Sequence, residues 1–387
     1  MDNIDKMKKN KKIYLDYAAT TPVDEHVVKA MLPYFSEEFG NTMSIYGLGQ
    51  KAKLVLEKSR EAVANLIGAK PKEIIFTGSA TESNNMVLKG VSGGHIIISA
   101  IEHPCIMETA EYLERKGINK ITRIKVDNNG LVDPEEVKKA ITEETVLVSV
   151  IHASNEIGTI QNIKEIGKIC KEKKVLFHTD ASQSFGKIQI DVKKMNIDLL
   201  TASSHKIYGP KGAACLYIKE GVKIEPLLHG GGQEGGLRSS TVNIPAIVGF
   251  AKACEIAQKE MKSESQRLTK LRDKLIKNVL KIEKVYLTGH PTKRLSNSAS
   301  FRFDHIEGES LAIQLDLNGV AVSTGSARSS AKLEPSYVLL AIGLTHGQAH
   351  GSIRISLGRQ TTEKDVDYLI KVLPDIVKKL RDISPFK

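Results

Sequence analysis

Between residues 73 and 218, short apolar runs alternate with amphipathic stretches, and this alternation constrains the fold more than any other feature of the chain. The runs are Glu73–Thr77, His95–Ser99, Lys120–Lys125, Val146–Ile151, Val175–Asp180, Asp198–Ala202 and Ala213–Ile218. Helix-like segments separate several of them: Glu82–Lys89, Ile106–Lys116, Pro134–Ala140 and Ile163–Lys171. A strand too apolar to face water, followed by a helix, predicts a largely parallel sheet covered on both faces. The last two runs are joined by a short Gly/Pro-rich link, which leaves room for one antiparallel strand. Near residue 245 the pattern changes. Pro245–Lys262 and Ser265–Lys281 read as two long amphipathic helices, followed by alternating segments at Ser298–Phe303 and Gly351–Ser356 and a terminal helix from about Lys364. The expected organisation is an N-terminal segment (1–15), a large α/β domain (16–260) and a smaller α+β domain (261–387).

Charge and composition narrow the function. The formal net charge is +11, but only 12 of the 56 basic residues are arginine, aromatics are 5% and tryptophan is absent. Nucleic-acid sites favour clustered arginine with stacking partners, so the charge reads as a lysine-rich solvated surface with glutamates between the lysines, as in 164–174. No nucleic-acid partner is expected. The opening stretch, 1–12, is charged and has no apolar core behind it, unlike a signal peptide, and no apolar run approaches membrane-spanning length. Cys105, Cys170, Cys215 and Cys254 are scattered and form no CxxC pair, which argues against a disulfide framework or a zinc site and suits a reducing cytoplasm.

In an open α/β sheet, ligands bind beyond the carboxyl ends of the strands. Five consecutive runs here end in small, polar or ionisable residues: Gly78-Ser79-Ala80-Thr81-Glu82, Glu102-His103, Asn155-Glu156, His178-Thr179-Asp180 with Gln183 beyond, and Ser203-Ser204-His205-Lys206. Any one is weak evidence; five together point to a polar pocket. Gly78–Thr81 opens a helix, and its backbone N–H groups and hydroxyls suit a phosphate. It lacks the spacings of a dinucleotide or ATP loop. Asp180 leaves an apolar strand as an acid in need of a cationic partner. Lys206 alone reads as an ion-pair partner. A phosphate cradle, a buried acid, an imidazole and a lysine together are what pyridoxal 5'-phosphate requires: the lysine amine attaches the aldehyde, the acid pairs with the pyridinium nitrogen, and the cradle anchors the phosphate.

The motifs resemble those of cysteine desulfurases of the NifS/IscS type, within the class V aminotransferase family. The matching stretches are Tyr14–Pro22, Ala80–Ser83, Glu102-His103-Pro104, Asn155–Gly158, His178–Gln183, Ser203–Gly212, Gly230–Asn243 and Ser352–Gly358, in family order across nearly the whole chain. The resemblance implies the fold type I of pyridoxal-phosphate transferases and assigns roles by position. Lys206 would carry the cofactor, Asp180 would hold its ring nitrogen, and His103 would stack on the ring and help move protons. Asn155 and Gln183 would bond the ring hydroxyl. Ala80, Thr81, Ser203 and His205 would bind the phosphate, and Thr241 would reach it from a second subunit, which implies a homodimer. Arg354 would pair with a substrate carboxylate, with Asn41 on the substrate side. The implied activity is removal of sulfur from L-cysteine or a related small amino acid, with an iron–sulfur scaffold or another acceptor protein as recipient.

One departure bears directly on that activity. The family's desulfurases carry a persulfide-forming cysteine on a loop that matches Ser323–Ser330, and Arg328 stands in its place. A guanidinium neither attacks sulfur nor holds a persulfide. Gly40–Tyr46 lacks the proline and histidine usual after the asparagine, and Gly235 and Ser240 replace an arginine and a glycine. Cys105 lies near the pocket motif, whereas the other three cysteines read as core. Two alternatives follow. One is a β-lyase that expels sulfide without a protein thiol; the other is a weakly active homologue that serves as a binding partner.

Overall fold

The computed structural model describes residues 12–91, 93–324 and 335–384. In chain order, β1 (Ile13–Tyr14) precedes a first body that contains α1 (Glu25–Met31), α2 (Gly47–Ile67), β2 (Ile74–Thr77), α3 (Ala80–Gly90), β3 (His95–Ser99), α4 (Pro104–Arg115), β4 (Lys120–Ile124), α5 (Pro134–Ala140), β5 (Thr145–Ser149), α6 (Ile163–Lys173), β6 (Leu176–Asp180), β7 (Leu199–Ser203) and β8 (Ala214–Ile218). Seven strands form one sheet in the order β2-β8-β7-β6-β5-β3-β4. All its pairings are parallel except those of β8, which runs antiparallel to both neighbours. Strands β3, β7 and β8 are buried along their whole length, as their unbroken apolar or small-residue runs require. Helices cover both faces. One core holds Ile97, Val148, Phe177 and Leu200, and the other holds Ile96, Ile98, Leu147 and Leu216.

The second body contains β9 (Val285–Leu287), β10 (Ser298–Phe303), α8 (Gly308–Leu317), β11 (Val320–Ala321), β12 (Ser352–Ser356) and α9 (Glu363–Ile383), with α7 (Ile244–Val279) leading into it. Its antiparallel sheet has the order β12-β10-β9, and β1 pairs in parallel with β11. Its core is built on Phe301, Phe303, Ile353, Ile355 and the buried face of α9.

The two helices expected over 245–281 are one 36-residue helix, α7. Its first half buries Ile247, Phe250 and Cys254 in the large core; its second half buries Leu268, Leu275 and Val279 in the small one. Between Ala257 and Leu268 no residue is buried, so the apolar stripe lapses where the helix crosses from one core to the other. No Gly or Pro lies in that stretch, and a Glu264–Arg267 ion pair one turn apart supports it, so the backbone continues. Among the described residues, no helix is long and apolar enough to cross a membrane.

Candidate active site

The carboxyl ends of β2, β3, β5, β6 and β7 open on a cleft of about 930 Å³. Of the residues singled out from the sequence, Ala80, Thr81, His103, Asn155, Asp180, Gln183, Ser203, His205 and Lys206 line it. Each is placed by local rules. After β2, Ser79 caps α3 by accepting the Glu82 N–H at 3.1 Å, and this aims the first turn of the helix at the cleft. The Glu82 carboxylate in turn accepts the Gly78 N–H at 2.9 Å and pairs with Arg238. Asp180 ends β6 and is 3% exposed. Its two oxygens accept from Asn84 Nδ2 at 2.8 Å and from the Ser182 N–H at 2.8 Å.

Lys206 follows β7 on a single tight turn and is also buried. Its amine donates to the carbonyls of Ala18 (2.6 Å) and Ala19 (2.7 Å). Gln183 Nε2 donates to the same Ala18 carbonyl at 3.0 Å, while its Oε1 is buried without a partner among the described residues. The segment after β1 thus braces Lys206 and Gln183, two residues that line the cleft. Thr20 adds to it by bonding His205 Nδ1 at 3.0 Å.

Glu102 is fully buried, and this burial, reinforced by Asp180, lifts its carboxyl to about 8 despite hydrogen bonds from Ser99 and the Ile151 N–H. Burial also holds His152 and His178 down at about 4, so both are neutral imidazoles that bond Ser184 and Ser149.

Other expected residues lie off the cleft. Arg354, on β12, binds Asp16 Oδ1 at 2.7 Å and the Asn155 carbonyl at 3.0 Å, and its Nε is buried without a partner among the described residues. Thr241 lines a neighbouring cleft with Arg238 and Asn243, which shares Gly78 and Gly212 with the first. Asn41 is exposed and caps a turn by accepting the Met43 N–H. Arg328 lies outside the described residues. Sequence reading missed Asn84, the Ala18 and Ala19 carbonyls, and Lys211, which also lines the cleft. Asn84 was findable, because it stands three residues after Thr81 on the same face of α3; backbone carbonyls leave no such trace.

The donor set fits pyridoxal phosphate. A capped helix N-terminus, two hydroxyl-bearing residues and an imidazole gather along the rim formed by β2 and β7, and a carboxylate closes the floor. The buried, unpaired Gln183 oxygen and a lysine amine held in place complete the set.

Comparison with known proteins agrees with this geometry. Residues 13–369 match the family described as aminotransferase class-V. The chain is 50% identical over 382 residues to the cysteine desulfurase IscS of Methanosarcina thermophila, covering 97% of this chain and 94% of that one. It is also 50% identical to the cysteine desulfurase IscS 1 of Archaeoglobus fulgidus, covering 96% and 98%. A solved NifS-like protein superposes with a TM-score of 0.90 at 40% identity, covering 95% of this chain and all of that one. The apo cysteine desulfurase of Thermococcus onnurineus superposes with a TM-score of 0.86 at 29% identity, covering 96% of each chain. With its sheet order, its lysine-and-aspartate cleft and these relatives taken together, the chain belongs to the class V aminotransferase family of pyridoxal-phosphate enzymes.

Proposed function

We propose that this protein is a homodimeric pyridoxal-phosphate enzyme that mobilises sulfur from L-cysteine or a closely related amino acid. The observation that carries the reading is the placement of Lys206 and Asp180 in one cleft whose rim holds the N-terminus of α3. Lys206 Nζ attaches the cofactor, and once released it accepts the substrate Cα proton. Asp180 holds the ring nitrogen. Asn155 and Gln183 meet the ring hydroxyl, and Ala80, Thr81, Ser203 and His205 hold the phosphate. When bound, the cofactor supplies an electron sink conjugated to Cα. His103, which lines the same cleft, would stack on the ring and help move a proton there. Arg354 offers its fork to the substrate carboxylate by exchanging Asp16 for it. Asn41 stands on the substrate side.

A second subunit is supported by the exposed apolar side chains of Phe35, Phe39, Met43, Ile45 and Tyr46, with Ile45 92% exposed. Thr241 would complete the partner's phosphate site. The division into a large domain ending near 260 and a small one after it belongs to the same reading, as do a cytoplasmic setting and an acceptor such as an iron–sulfur scaffold.

Arg328 favours a second outcome of the same early steps. Among the described residues, Cys105 is the cysteine that lines the cleft, and burial with Asp180 nearby pushes its thiol up to about 12, so it is a poor nucleophile. Elimination needs no protein thiol: cysteine and water give pyruvate, ammonia and sulfide. Product analysis of the holoenzyme separates the two. Alanine with protein-bound sulfur supports desulfuration, and pyruvate with ammonia supports β-elimination. Neither product from any sulfur amino acid, with cofactor bound, would leave the binding-partner reading. Arg328→Cys should create persulfide, detected by mass spectrometry, if the rest of the site is competent.

A further inference from the structure

We propose that Cys105 is a positioning residue that, with Asn84, locks the His103 ring as its neutral Nε2–H tautomer. The inference rests on the functional reading above for the use of His103, but its geometry stands on its own.

His103 is the N-cap of α4, and Pro104 occupies the first helical position. Proline has no N–H, so the first free backbone donor of this helix is that of Cys105. It points at His103 Nδ1 from 3.2 Å. A backbone N–H only donates, so Nδ1 must accept and the ring proton resides on Nε2. The Cys105 sulfur lies 3.0 Å from the same Nδ1.

Asn84 decides the direction of the thiol. One of its amide hydrogens goes to Asp180 Oδ2, an oxygen that only accepts, which fixes which amide atom is nitrogen. The same Nδ2 is 3.1 Å from Cys105 Sγ, so the sulfur accepts there, and the Thr81 side chain bonds it as well. Because Nδ1 carries no hydrogen, the 3.0 Å contact between sulfur and ring is made by the thiol's own hydrogen. The order of donation is therefore Asn84 to both Asp180 and Cys105, and Cys105 to His103. Burial keeps the thiol protonated, so the donor persists over the working pH range.

The chain of contacts has a chemical consequence. A second proton on the ring would have to enter at Nδ1, against two donors, so the imidazolium is disfavoured. His103 then acts through Nε2–H as a neutral donor, and proton abstraction falls to Lys206. Among the described residues, the charged or titratable groups that line the same cleft from other elements are Asp180 on β6, His205 and Lys206 after β7, and Lys211, with Glu102 adjacent in sequence. Asn84 and Cys105 stand between Asp180 and the ring as a bridge of hydrogen bonds.

The test is hydrogen–deuterium exchange at the C2 carbon of His103, read by mass spectrometry against pH on the full cofactor-free protein. The wild-type midpoint should lie about one pH unit or more below the ordinary imidazole value of about 6.5. Cys105→Ala should raise it by about one unit, and Cys105→Ser, which keeps a donor and an acceptor, should restore it. A wild-type midpoint at or above the ordinary value overturns the proposal, as does an unchanged midpoint in Cys105→Ala. Cofactor uptake and product formation are measured separately. An inactive protein whose His103 titrates as stated sinks the functional reading and leaves this one standing.

Discussion

Replacing Glu102 with glutamine should make the stability of the protein less sensitive to alkali. The carboxyl is raised from an ordinary 4.5 to about 8 by complete burial. The unfolded chain therefore releases its proton near pH 4.5, while the folded chain retains it until about 8. Across that window the native state binds more protons, so wild-type stability falls as pH rises and the loss is complete above about 8. A shift of about 3.5 units at about 1.4 kcal/mol per unit amounts to about 5 kcal/mol, and relaxation around a buried acid brings the expected value to about 3–5 kcal/mol. Glu102→Gln keeps the acceptor used by Ser99 Oγ and the Ile151 N–H and does not titrate. His152 and His178 act in the opposite sense, since both are depressed to about 4 and favour folding as pH rises toward 6.5. They are common to both proteins and cancel in the difference. The assay is urea unfolding of the cofactor-free proteins at about pH 5 and about pH 8.5. The variant should gain about 3–5 kcal/mol on the wild type between the two conditions. A difference constant within about 1 kcal/mol would refute the claim that Glu102 is a neutral acid beside Asp180.

Two further perturbations address the assembly and the segment that braces Lys206. The double change Phe39→Asp with Ile45→Asp should shift the sedimentation profile to a single chain and weaken cofactor binding, because the cross-subunit reach proposed for Thr241 would be lost; an unaltered dimer would show that this apolar surface is not the contact. Gly358→Ala would bring a Cβ to 2.1 Å from the Tyr17 ring, so Tyr17 and the adjoining Ala18 carbonyl that holds Lys206 and Gln183 must move. Cofactor affinity, read by absorbance titration, should fall about tenfold or more, and an unchanged titration would separate this segment from the site.

The large sheet was legible because a strand buried on both faces has only one composition. The runs His95–Ser99 and Ala213–Ile218 coincide with β3 and β8 to within a residue, and β8 proved to be the antiparallel strand that its short link allowed. The Pro134–Ala140 helix was legible to the residue because Asp133 caps it and Pro134 starts it. Helix α2 went unseen: it begins on Gly47 after Tyr46, a residue with no capping side chain, so no start signal marks it. Strands β1 and β11, two residues each, are specified by each other across some three hundred residues and carry no local pattern. The same distance effect divided the site. Residues at strand ends were readable because topology alone brings them together. The grip of Ala18 and Ala19 on Lys206 depends on where a distant segment's carbonyls come to rest, which no side chain announces.

The unbroken run of α7 through both cores sets a phase condition on the chain. Its turns between Ala257 and Leu268 bury no side chain, although Met261 packs on the large core and Arg267 bonds the carbonyls of Gly358, Arg359 and Thr361, and they fix the angle at which Leu268 and Leu275 present themselves downstream. Deleting one residue there would rotate everything that follows by about 100° and draw it in by about 1.5 Å, turning that seam outward while the upstream face stayed docked. Gaps or insertions of three or four residues nearly restore the angle. The length of this bridge is therefore quantised in whole turns.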